Sequence, residues 1–267
     1  IAKDNNVIKV LLNFSDNSKL FLASYFHRFD SYFTFSEDGK IEISKENKEK
    51  LNDKIDNIAE LFLRLFAILS LVDAGYSSSN FKSFLFEEEL KLADDSISFD
   101  EIAADFDNHI NKNWNQEDIN SRLIDYDKND MVYLNEYLFA KDNNKQLIIS
   151  SDIDIEHIMP QSGKNKDIIK TDAGMDDLNM FNDYINKIGN KILLEYDINR
   201  SIGNEWFRTK IATKIADKSG YVDSKYPIAQ HLVEMYKNNS KPYWMKDDID
   251  TATKEAAERI VKFIFNK

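Results

Sequence analysis

The sequence predicts a mainly helical α+β protein, a helical bundle with a small antiparallel hairpin and a following helix embedded late in the chain. Three observations predict it. All three prolines (Pro160, Pro227, Pro242) and five of the seven glycines (Gly163, Gly174, Gly189, Gly203, Gly220) lie beyond residue 150, so the first half is short of breakers. Leu51, Ile55, Ile58, Phe62, Leu65, Leu69 and Val72 recur at alternating steps of four and three, one face of an α-helix. Near residue 153 the period changes to two, which marks a strand.

Taken in order, helices are expected over roughly 5–28, 46–74 (with Gly75 as its C-cap), 79–93, 98–112, 117–126 and 130–141. In "QLIISSDIDIEHIMP", Ile153, Ile155 and Met159 alternate with Asp152, Asp154 and Ile158, giving the first strand. A polar stretch from Ser162 to Thr171 and a helix near 175–186 follow, then a second strand in "KIGNKILLEY". Helix resumes after Asp197 as N-cap, and the last one runs over about 247–265 with Ala256, Ile260 and Phe263 inward. This organisation suggests two domains, a helical scaffold or linker over 1–148 and a second domain with C-terminal helices over 149–267.

Composition narrows the chemistry. The 267 residues include no cysteine, which removes disulfides, thiolate catalysis and Cys-based zinc sites and suits a reducing cytoplasm. The longest apolar stretch, Leu61 to Val72, is far shorter than the roughly 20 residues a bilayer needs. Net charge is -12, which argues against a simple nucleic-acid coat, although Lys191–Lys218 holds six Lys/Arg against four Asp/Glu. The chain opens on Ile1 with no leader pattern and is expected to be a fragment of a longer chain. No G-x-x-x-x-G-K-[ST] loop is present, so neither ATP nor GTP is expected as a cofactor. His27, His109 and His231 lack a nearby constellation and read as structural or surface residues, and Trp114, Trp206 and Trp244 as core.

The chemistry concentrates in "IEHIMPQ" and "IGNKILLEYDINR". Phosphodiester hydrolysis needs a base for water, commonly an imidazole, and is helped by a hard divalent cation bound through oxygen. Glu156 offers a carboxylate and His157 an imidazole, while Asn190 and Asn199 offer amides nine residues apart. A regular pleat would send Glu156 and His157 to opposite faces, so they can share one site only if the strand ends or bends there.

These runs resemble the HNH (ββα-metal, His-Me finger) nucleases. Glu156-His157-Ile158-Met159-Pro160-Gln161, Asn190-Lys191-Ile192-Leu193-Leu194 and Asn199-Arg200 are similar to the HNH domain of RNA-guided CRISPR nucleases. The nearer resemblance is to the DUF1524 group, C-terminal nuclease halves of GmrSD-like type IV restriction enzymes that also carry a DUF262 domain. "IGNKILL", Asn199 and the run from Asn204 through Phe207 to Lys210 carry it, over Ile155 to Lys210. The resemblance implies a Mg²⁺- or Mn²⁺-dependent DNA endonuclease in a bacterial cytoplasm, acting against modified phage DNA, with an upstream DUF262-like domain as partner. It implies His157 as general base, Glu156 and Asn199 as metal ligands, and Asn190 as the residue that holds the loop and orients His157. Arg200, Arg208 and Lys210 would contact phosphate. Asn204 could replace Asn199 as ligand, and Lys191 would sit on an exposed strand face. The alternative is a ββα domain that binds DNA or protein without cutting.

Overall fold

The structure is a computed structural model that describes residues 5–72, 79–164, 166–175, 177–212, 219–238, 241 and 243–267. The expected cap at Gly75 and the lysines Lys214 and Lys218 of the basic stretch lie outside the described residues. The chain divides into two compact units, Ile1–Ile119 with Phe263–Lys267, and Asn120–Lys262. Among the described residues, no helix is long and apolar enough to cross a membrane.

The first unit is helical. Helix α1 (Asn6–Phe14) and helix α2 (Ser18–Phe26) replace the single helix expected over 5–28. The break falls at Ser15-Asp16-Asn17, where the extended Ser15 accepts from Asn17 N through its hydroxyl, and Ser18 Oγ donates to the Ser15 carbonyl. Such short polar side chains offer the backbone an alternative to helical pairing. After a 3₁₀ turn (His27–Tyr32), strands β1 (Phe33–Phe35) and β2 (Ile41–Ile43) form an antiparallel hairpin that the periodicity reading missed. Its turn is Asp38-Gly39, with Gly39 at φ 77°, a conformation glycine adopts without steric cost.

Helix α3 (Lys45–Leu71) starts at Ser44, whose hydroxyl accepts from Asn47 N at 3.1 Å. Six of the seven residues in its expected stripe are buried, from Leu51 to Leu69, and Val72 is the half-buried C-cap. Helix α1 packs on this element. Helix α4 (Ser79–Ala93) and helix α5 (Phe99–Asn113) follow as expected. A reciprocal capping box between Ser98 and Glu101 opens α5. Phe62 and Phe106 meet edge to face at 5.6 Å in the core. Helix α6 (Gln116–Ile124) carries the division between the units.

The second unit holds helix α7 (Asp130–Asp142), strand β3 (Ile153–His157), helices α8 (Lys166–Asp172) and α9 (Leu178–Ile185), and strand β4 (Lys191–Glu195). Helices α10 (Tyr196–Ile202), α11 (Phe207–Ile211) and α12 (Pro227–Tyr236) follow; α13 (Lys246–Ile264) runs on past the end of the unit. Helix α8 lies in the stretch expected to be irregular, and Asp197 falls in the first turn of α10 rather than at its cap. Strands β3 and β4 are antiparallel, with Ile155 opposite Leu193, Glu156 opposite Ile192 and His157 opposite Lys191. Helix α10 packs on both strands, and α7 and α12 pack on β4. The fold is thus mainly helical with the expected late two-stranded element.

A 3₁₀ turn (Ile188–Asn190) leads into β4. Its Gly189 is required by close approach, because a Cβ there would stand 2.3 Å from the Ile249 carbonyl oxygen and 2.5 Å from Thr253 N, both in the α13 backbone. Gly189 N donates to Thr253 Oγ1 at 3.2 Å, and Trp244 Nε1 donates to the Gly189 carbonyl at 3.1 Å. Trp244 is therefore core, as expected, whereas Trp114 and Trp206 are only half-buried.

Candidate active site

His157 closes strand β3, and the chain turns at once through Ile158, Met159 and Pro160. Asn190 holds that turn. Its side chain is fully buried; Oδ1 accepts from Met159 N at 2.8 Å, and Nδ2 donates to the carbonyls of Met159 at 3.1 Å and Ile185 at 2.9 Å. Its own carbonyl accepts from Ile158 N at 2.9 Å. One amide therefore ties the end of β3 to the end of α9, which a carboxylate or an aliphatic side chain could not do.

The His157 imidazole is half-buried, and its Nε2 lies 3.4 Å from Asn186 Oδ1. With that oxygen as acceptor, Nε2 carries the ring proton and the basic lone pair is on Nδ1. Burial pushes the imidazole down to about 4; the Asn186 contact opposes this, and the cations of Lys191 and Lys210 add to it. The ring is therefore neutral at pH 7 and able to accept a proton.

Glu156 points elsewhere. It is buried, and its Oε1 accepts from Lys210 Nζ at 2.5 Å and from Tyr221 OH at 2.9 Å. The pleat runs regularly through both residues, so the two side chains leave opposite faces of the strand. The strand neither ends nor bends between Glu156 and His157, and the chain turns only after His157. Burial raises the Glu156 carboxyl, against the pull of Lys210.

Three expectations change with these positions. Lys210, expected to contact phosphate, is fully buried, its ammonium engaged by Glu156 and by the carbonyls of His157 and Ile158. Lys191, expected on an exposed strand face, is buried, with its ammonium on the Asp127 carbonyl and on Asn129 Oδ1. Asn199, expected beside Glu156 on a shared ion, donates instead to Asp154 Oδ2 at 3.3 Å. Asn204 is exposed and donates to Ser162 Oγ at 3.1 Å. Arg200 and Arg208 are exposed on the surface; the Arg200 guanidinium sits 4.0 Å from the centre of the Tyr196 ring.

The expected donors of a divalent cation do not fit it in this arrangement. The Glu156 carboxylate already has an ammonium and a phenol as partners, and Asn199 is bound to a different acid. Among the described residues, no group of three or more His, Asp or Glu side chains could hold a metal ion.

Asn186 and Tyr221 escaped the sequence reading. Asn186 stands four residues before Asn190, and no spacing rule singles it out. Tyr221 lies 65 residues from Glu156, a contact no local pattern encodes. The other histidines are placed as expected: His27 pairs with Asp30 on the surface, His109 stacks on Phe84 at 3.9 Å, and His231 lies against Phe139.

No curated protein and no solved structure matches the chain. The family described as GmrSD restriction endonucleases, C-terminal domain, matches residues 96–259, which includes nearly all of the second unit and every residue of the site, and the chain belongs to that family.

Proposed function

We propose that this chain is an HNH-type nuclease that hydrolyses phosphodiester bonds in DNA, with His157 as general base. The observation that carries the reading is the buried Asn190 amide, which fixes the turn beside a neutral imidazole whose Nδ1 lone pair is left available. A buried side chain with all three hydrogen bonds made is a costly way to close a short turn unless the geometry beyond it matters.

In this reading a water molecule beside Nδ1 gives its proton to His157 as its oxygen bonds to phosphorus. The bond from phosphorus to the leaving sugar oxygen breaks, and that oxygen takes a proton from solvent. The negative charge of the incoming phosphate stabilises the imidazolium, against the burial that chiefly holds the free ring neutral and the two lysines that add to it. Arg200 and Arg208, exposed on α10 and α11, are the cations placed to meet the flanking phosphates. Mg²⁺ or Mn²⁺, the cofactor the resemblance implies, would supply charge stabilisation at the scissile phosphate. Glu156 and Asn199 each have another partner, Lys210 and Asp154. A DUF262-like partner domain and a role against modified phage DNA belong to the same reading and rest on the family alone.

A plasmid-cleavage assay tests the proposal, run with Mg²⁺, with Mn²⁺ and with EDTA. Conversion of supercoiled plasmid to nicked or linear forms is expected. Absence of cleavage under every condition, alongside retained DNA binding, would favour a domain that binds without cutting.

A further inference from the structure

The end of strand β3 is tied down by a buried cation. The Lys210 ammonium donates to Glu156 Oε1 at 2.5 Å, to the His157 carbonyl at 2.8 Å and to the Ile158 carbonyl at 3.2 Å. Those acceptors match the three hydrogens of an ammonium. Tyr221, equally buried, donates to the same Glu156 oxygen at 2.9 Å. Gly220 lets it do so. A Cβ at that position would stand 2.8 Å from the Lys210 carbonyl oxygen, so a side chain there would push the Tyr221 segment away from the chain that carries Lys210. Buried ion pairs add little net stability compared with apolar packing, but they hold groups in defined places. Here two of the three acceptors are main-chain oxygens, one of the residue that bears the imidazole and one of its neighbour.

We propose that Lys210 is a positioning residue for His157, and that Glu156 with Tyr221 locks Lys210 in place instead of ligating a metal ion. This rests on the reading of His157 as the base. The ammonium fixes the two peptide groups that follow His157 and so the direction in which its side chain leaves the strand; Asn186 then selects the ring tautomer. A divalent ion at Glu156 would share that one carboxylate with the buried Lys210 ammonium, two cations on a single anion, which is unfavourable.

The test reads the His157 ring directly, by NMR of protein labelled at histidine nitrogens, with the His157 signal identified by its loss in His157→Ala. Wild-type protein is expected to show one neutral tautomer, protonated at Nε2. Lys210→Met is expected to give a mixture of tautomers and a titration midpoint at higher pH, because a nearby cation is gone. Glu156→Gln/Lys210→Met, which leaves no uncompensated charge, is expected to show the same change and to unfold at a higher temperature than Lys210→Met. Mn²⁺ binding, read by electron paramagnetic resonance of the free ion, is expected to be the same in Glu156→Gln as in wild type. An unchanged His157 tautomer and midpoint in a folded variant lacking Lys210 overturns the positioning role, as does failure of both Lys210 variants to fold. Mn²⁺ affinity that drops tenfold or more in Glu156→Gln overturns the assignment of Glu156. None of these readouts uses DNA cleavage, so a wrong base assignment would show separately, as normal cleavage by His157→Ala.

Discussion

Replacing Asn190 by alanine removes the hydrogen bonds that close the turn after His157. The substitution strips the acceptor from Met159 N–H and the donor from the carbonyls of Met159 and Ile185, in a fully buried place where water does not substitute. A neutral hydrogen bond contributes about 1 kcal/mol net, and a buried group left unsatisfied costs about 1–3 kcal/mol. The Met159 N–H bears the full penalty, while each carbonyl keeps a second lone pair. The expected loss is about 3 kcal/mol, equivalent to a fall in Tm of roughly 10 °C for a unit of this size. Asn190→Asp sharpens the test. Its first oxygen still accepts from Met159 N, but the second faces two carbonyl oxygens and carries charge. At neutral pH it is expected to destabilise at least as much as alanine, and to recover in part at acid pH, where a protonated carboxyl again donates one hydrogen. Scanning calorimetry at pH 5 and pH 7 gives both numbers. If Asn190→Ala melts within about 2 °C of wild type, the amide is not what closes the turn.

Three further outcomes follow from the same unit. Burial pushes the Glu136 carboxyl from 4.5 up to about 8, while Ile228 N donates to its Oε1 and its Oε2 has no hydrogen-bond partner among the described residues. The folded state keeps this proton where the unfolded chain loses it, so stability falls as pH rises from about 4.5 to about 8, by about 3 kcal/mol at pH 7. Glu136→Gln should remove that slope, and an advantage over wild type that stays constant from pH 5 to pH 8 in urea titrations would contradict it. Gly189→Ala drives a Cβ into the α13 backbone at Ile249 and Thr253 and should cost at least about 2 kcal/mol in the same measurement; an unshifted midpoint would refute the close approach. Since the free His157 ring is held down to about 4, the acid limb of kcat/KM should lie below the ordinary histidine range, and a midpoint at or above 6.5 would show that the base is another group.

Much of the fold was legible because local periodicity carries it. The stripe from Leu51 to Leu69 is buried as its spacing requires, β3 falls where the period changes to two, and β4 falls in the second run read as a strand. The first helix broke because Ser15, Asp16 and Asn17 compete with helical hydrogen bonds, a local signal outweighed by the apolar pattern on either side. The β1–β2 hairpin was also written locally, in Phe33 and Phe35, Ile41 and Ile43 around Asp38-Gly39, but its strands are too short for periodicity to register. At the site, the Asn190 amide bonds to Met159, in the other motif run 31 residues earlier, and to Ile185, which lies in neither run. The fates of Glu156, Lys191 and Lys210 were not legible. A lysine or a glutamate reads as a surface charge until a partner 54 residues away, or the carbonyl of Asp127, is seen to bury it. The Gly-Asn of "IGN" reads as a motif, yet Gly189 is there because a helix sixty residues later crosses on top of it.

The central claim, that His157 takes the proton from the attacking water, is tested most directly by single-turnover cleavage of a plasmid by wild type and His157→Ala at pH 7. The two proteins would first be matched for folding by circular dichroism. The account predicts that the variant folds as wild type does and cleaves about 10²–10⁴-fold more slowly. Cleavage by folded His157→Ala at the wild-type rate would contradict it.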